Sequence, residues 1–103
     1  MFKMNTVGSG LNSVASGTAV EQSTSPYLPG TTVVTVIKPA GLTGTCAIQG
    51  SDDNSTWADL HSSGAITTNN EVQFKEVVLK KYIRSNVTVR SAGTVSMYIM
   101  NAG

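Results

Sequence analysis

Charge is what this sequence has least of. Asp, Glu, Lys and Arg make up 13% of its 103 residues, about half the usual share of a soluble domain. One His, one Cys and six acidic residues leave little material for general acid-base pairs or metal ligands, so no enzymatic activity, catalytic residue, cofactor or metal is expected. The single Cys46 excludes an intrachain disulfide and is expected to be a small buried apolar residue. Small domains without disulfides or metals often gain stability by oligomerising, so self-association is expected. A net charge of +1 gives no general attraction to nucleic acid or anionic membranes, and neither is expected as a partner. No apolar run approaches the length of a membrane span, and Met1 to Thr6 leads into Gly and Ser rather than an apolar signal core. The expected place of synthesis is a cytoplasm, which a protein can leave by lysis within an assembled particle.

Ser, Thr, Asn and Gly supply the polarity instead, around β-branched runs. The chain divides at Tyr27-Leu28-Pro29-Gly30, where proline removes a backbone donor and glycine permits a turn. Residues 1–27 read as an extended N-terminal arm with only Lys3 and Glu21 charged, and with one short strand around Val14 to Gln22. The apolar residues of the arm, Phe2, Leu11, Val14 and Val20 among them, need something to pack against, either the body or a neighbour.

Residues 28–103 read as a β body. Thr31 to Lys38 has apolar residues on both parities, the pattern of a strand buried on both faces. Pro39 to Gly44 is read as a break. The next strands are Thr45 to Gln49 and, after a turn at Gly50 to Ser55, Trp57 to Leu60. Val72, Phe74 and Val78 alternate with Gln73 and Lys75, predicting a half-buried strand. Ile83, Ser85, Val87 and Val89 define an inward parity opposite Tyr82, Arg84 and Arg90; Ala92-Gly93 is read as a turn, and Val95, Met97 and Ile99 as the last strand. No stretch sustains a helical period. Six or seven short strands predict an all-β fold, a single jelly-roll-like β-sandwich.

The candidate constellations are sparse. Asp52, Asp53, Asn54 and Asp59 gather oxygen ligands, but the segment lacks the central Gly and closing Glu of a calcium loop and reads as a solvated hairpin tip. Ser51 to Trp57 is one residue short of the aspartate box of sialidase propellers and occurs once, whereas propellers repeat it. The shared device would be a tight Asp/Asn turn that delivers Trp57 to the core. His61 has no His or Cys partner and reads as a loop residue; twelve serines make any Ser-His-Asp grouping uninformative, and there is no G-x-S-x-G elbow. Lys80, Lys81, Arg84 and Arg90 with Tyr82 and Tyr98 form a basic, aromatic strand face better suited to a protein contact than to nucleic acid. Phe2, Leu11, Val14, Val20, Tyr82, Arg84 and Arg90 are the residues expected to bind partners.

Two stretches, Ile48 to Leu60 and Leu79 to Ile99, resemble small tailed-phage virion proteins. The shared features are a strand running into Gly-Ser-Asp-Asp and Thr-Trp, then a Lys-Tyr-Ile-Arg strand before a Gly-Thr-Val hairpin. The resemblance implies a capsid decoration or cement protein, a homotrimeric β-sandwich on the outer capsid surface that clamps major capsid protein subunits, with no catalytic residues. Lys81-Tyr82-Ile83-Arg84 also looks like a strand of discoidin-type carbohydrate-binding modules, which carry a Trp near a loop. Such a module, on a virion or tail, is the alternative.

Overall fold

The computed structural model describes residues 4–22 and 27–101; Phe2, an expected partner contact, lies outside them. The β-branched run that begins at Thr32 does not break at Pro39. It continues as β4 (Thr32–Ser51), 20 residues long, paired antiparallel along nearly its whole length with β8 (Tyr82–Asn101), also 20 residues. Pro39 is tolerated because its pairing with β8 lies between the stretches of β4 that use the other edge, one ending at Ile37 and the next starting at Leu42.

Every other strand joins this pair. β1 (Met4–Leu11), β2 (Ala15–Ser16) and β3 (Val20–Glu21) lie along β8, while β5 (Ala58–Ser62), β6 (Ile66–Asn69) and β7 (Gln73–Val78) lie along β4. The chain is all-β as expected, built as one eight-stranded antiparallel sheet rather than as separate sheets. The described part of the N-terminal segment is woven into the sheet through β1 to β3. Val7 and Leu11 pack on the core, whereas Val14 and Val20 stay exposed.

The two long strands bend together. Gly41 (φ 66°) and Gly93 (φ 78°) adopt left-handed backbone, and register shifts fall between Ala40 and Thr43, Thr43 and Gly44, and Thr45 and Cys46. Bulges of this kind sharpen strand curvature, so Pro39 to Gly44 and Ala92-Gly93 turn the sheet rather than end its strands. Val33, Ile37, Met97 and Ile99 before the bend share one core with Cys46, Ile48, Ile83 and Val87 beyond it. The sheet therefore doubles over, and its shortest dimension of 18 Å suits two layers about 10 Å apart plus their outer side chains.

The bulges also explain which side chains point inward. Between its pairings at Ala40 and Cys46, β4 gains one residue on β8 at the first shift and loses one at each of the next two. Along β4 the buried set changes from Val33, Thr35 and Ile37 to Leu42, Cys46 and Ile48, and its parity changes with it. β8 keeps odd parity from Ile83, Ser85 and Val87 to Val95, Met97 and Ile99, but Val89, expected inward, sits between bulges and is exposed.

One seam between the layers is closed by Thr35, whose hydroxyl lies 2.8 Å from His61 Nδ1, and by Gln73 Nε2, which donates to the Ser63 carbonyl at 3.1 Å. The opposite seam holds a cavity of about 270 Å³ between β1 and β3, lined in part by Val7, Val20, Ile83 and Ile99.

A Cβ at position 93 would run into the Gly41 carbonyl and lie 2.6 Å from the Leu42 nitrogen. Gly93→Ala is therefore expected to lower stability by on the order of 3 kcal/mol, combining left-handed strain with overpacking; the denaturant midpoint measures it.

Candidate functional site

The outer face of the second half of the sheet carries the polar candidates. The turn after β4 is organised by Asp53, whose Oδ1 accepts from the Ser55 amide at 2.9 Å, the Thr56 amide at 2.8 Å and the Ser51 hydroxyl at 2.9 Å. These bonds, led by the Thr56 amide, hold the Asp53 carboxyl below its ordinary range. Asn54 takes the left-handed position (φ 60°), which Asn tolerates. The turn is the expected hairpin tip, and among the described residues no group of three His, Cys, Asp or Glu is placed to hold a metal.

Its exit differs from the sequence expectation. Trp57 is outside the hydrophobic core and only partly covered, with the Arg84 guanidinium carbon 4.1 Å from the centre of its ring. Even positions of β8 face outward in this half, so Arg84 stands beside Gln49 of β4, which in turn stands beside Asp59 of β5. Arg84 Nε donates to Gln49 Oε1 at 2.9 Å, and Gln49 Nε2 donates to Asp59 Oδ1 at 2.9 Å. Tyr82, two residues from Arg84 on the same parity, has the Lys81 ammonium 5.6 Å from its ring centre. Lys81 also approaches Glu21 at 4.0 Å, and Lys80 pairs with Asp52 at 3.4 Å.

The candidate contact residues do not form one patch. Tyr82 and Arg84 share this face, whereas Arg90 Nε donates to the Gly93 carbonyl at 2.8 Å and braces the bend. Leu11 belongs to the margin of the core, and Val20 lines the seam cavity. Val14 is exposed near β2.

A second surface went unread in the sequence. Phe74 and Val78 are 62% and 56% exposed, although their alternation with Gln73 and Lys75 predicts that they point inward. The period is right and its sign is reversed. Gln73 lies on the inward parity and hydrogen-bonds the Ser63 carbonyl and His61, so a polar side chain closes the seam. Outside, Phe74, Val36 and Tyr98 form one cross-strand row, and Glu76, Val34 and Met100 form the next. The apolar residues on both parities of Thr31 to Lys38 were the signal: the inner face is fully buried, while on the outer face Val36 is covered and Val34 only half so.

His61 is 5% exposed and lies within β5, not in a loop. Thr35 donates its hydroxyl hydrogen to the Lys75 carbonyl at 2.8 Å, so its oxygen accepts from His61 Nδ1–H. Burial lowers the His61 pKa, a hydrogen bond to Gln73 opposes the shift, and the nearby Lys75 charge adds to it. Cys46 is fully buried as expected, and burial raises its thiol pKa against a smaller opposing hydrogen bond from Ser63. Compared with known proteins, the chain matches no family model and no curated sequence.

Two measurements follow from these placements. Trp57→Ala should cost about 1–2 kcal/mol, the loss of a partly covered ring and its cation contact, against the ~3–5 kcal/mol of a core aromatic; equilibrium denaturation distinguishes them. Because His61 is depressed in the folded state, stability is level above its ordinary pKa of 6.5. It falls as pH drops below that value, where the unfolded chain takes up the proton first. Thermal unfolding should show this acid loss, and His61→Gln should flatten it. The loss contributed by Asp53 lies lower, below its ordinary 3.8.

Proposed function

We propose that this chain is a non-catalytic structural protein of a tailed-phage virion, of the capsid-decoration type, that self-associates and docks on major capsid subunits. The observation that carries the reading is the exposure of Phe74 and Val78 on one outward strand face, on either side of Glu76 and next to the half-buried Val34, Tyr98 and Met100. Exposed apolar side chains grouped on one sheet face are characteristic of surfaces that meet another protein. The resemblance of Ile48 to Leu60 and Leu79 to Ile99 to virion proteins supplies the kind of assembly, and the shortage of charge suits surfaces buried against neighbours.

A second reading, a carbohydrate-binding β module, is favoured by one observation: Trp57 lies on the surface beside Arg84.

The docking reading is tested by gold-labelled antibody on banded particles and by sedimentation of the purified chain. Label on the capsid surface and a stable trimer are expected; label confined to tails, or none, overturns the reading. Phe74→Asp, at an exposed position, should change stability by less than about 0.5 kcal/mol yet reduce particle occupancy at least tenfold.

A further inference from the structure

Among the described residues, Arg84 and Arg90 are partly covered cations in neither ion pair; Arg90 braces the bend through the Gly93 carbonyl, whereas Arg84 stands on the outer face of the sheet. The two ion pairs formed are Lys80 with Asp52 and Lys81 with Glu21. Arg84 uses Nε on Gln49 and lays its plane over Trp57, while its terminal amino groups have no protein acceptor among these residues. A guanidinium fixed at Nε and stacked on an indole keeps its remaining donors in a planar fork, the geometry that recognises a carboxylate with two parallel hydrogen bonds.

The surroundings restrict what can bring that carboxylate. Asp59 accepts from Gln49 through Oδ1 alone, leaving Oδ2 available, and its strand is two strand spacings from that of Arg84, about 9–10 Å. A polyanion would be repelled by the Asp59 carboxylate. A molecule with one carboxylate and several hydroxyls can place the acid on Arg84, give a hydroxyl hydrogen to Asp59, and rest its C–H face against the uncovered indole surface. That description is of an acidic sugar.

We propose that Trp57, Arg84, Gln49 and Asp59 form a binding site for a carboxylated saccharide. The proposal rests on the second reading and adds the acidic class of ligand. It requires no change in the docking surface, because Phe74 and its neighbours lie on the outer face of the other layer.

Trp57 is the chain's single Trp, so intrinsic fluorescence reports this site directly. Wild type and a cooperatively folded Arg84→Gln variant are titrated at low salt with glucuronate, glucose and acetate. The expected result is a saturable change with glucuronate, at least tenfold weaker binding of glucose and of acetate, and at least tenfold loss of glucuronate in Arg84→Gln. Equal binding of glucose and glucuronate, unaffected by the substitution, overturns the acidic class while leaving the saccharide reading standing. Acetate as effective as glucuronate overturns the saccharide part. No response to either sugar overturns both.

Discussion

The full-length pairing of β4 with β8 is the constraint on which this molecule depends. Each of the other six strands finds its hydrogen-bonded neighbour in one of these two, so it is the β4–β8 pairing that joins the two sets into one sheet. A straight pair of 20-residue strands would hold its apolar residues along a flat ribbon with no second layer to cover them. Left-handed backbone at Gly41 and Gly93, with bulges beside them, bends both strands at one level and lets one sheet supply both sides of its own core. The partners along this pair are far apart in sequence, from Val33 with Asn101 to Ser51 with Tyr82. Such a topology pays its loop-closure entropy before most contacts form and is expected to fold slowly.

Doubling the sheet over also decides where polarity is needed. Where β5 and β7 approach, Gln73 sits on the inward parity of β7 and His61 comes inward from β5. Their polar groups are matched to Thr35, the Ser63 carbonyl and one another. No buried side-chain nitrogen or oxygen among the described residues is left without a partner, which is what keeps a buried imidazole tolerable in an otherwise apolar interior. The price is sensitivity to acid, since the same burial resists protonation of the ring.

Much of this was legible in the residues. The absence of a helical period, the turn at Gly50 to Ser55, the burial of Cys46 and the odd parity of β8 all follow from local chemistry that the tertiary structure leaves alone. What was not legible depended on the bend. Gly41 and Gly93 look like chain reversals because glycine serves both turns and bulges, and only pairing with a distant strand distinguishes them. The sign of the β7 alternation was hidden for a related reason: Phe74 is the more apolar choice for a core, but the inner position beside it faces a seam that needs an amide. Trp57 was misread because an aromatic after a tight turn was expected to serve the core, whereas Arg84, on a strand some distance along the chain, offers its guanidinium face outside. Of the residues expected to meet partners, Tyr82 and Arg84 came together through strand parity, while Leu11 and Arg90 were taken up by the body itself.

A single sheet folded onto itself has two outward faces that point away from each other, and here the two differ in chemistry. One bears Phe74, Val78, Tyr98 and Met100 around Glu76; the other bears the Trp57–Arg84–Gln49–Asp59 row, whose polar groups are arranged by each other. A protein that needed only to cap its own core would gain nothing from leaving the first face apolar, and a surface ion pair would be a simpler use of Arg84 than a stack on tryptophan. On the proposed reading the two faces divide the work. The apolar side holds the module to a larger assembly, and the opposite side stays presented to solvent. The low charge suits this division: Lys38 and Glu76 are the charges that docking of the apolar side would have to desolvate or pair, while others sit on turns, at the bend and in the one row where a polar ligand would be met.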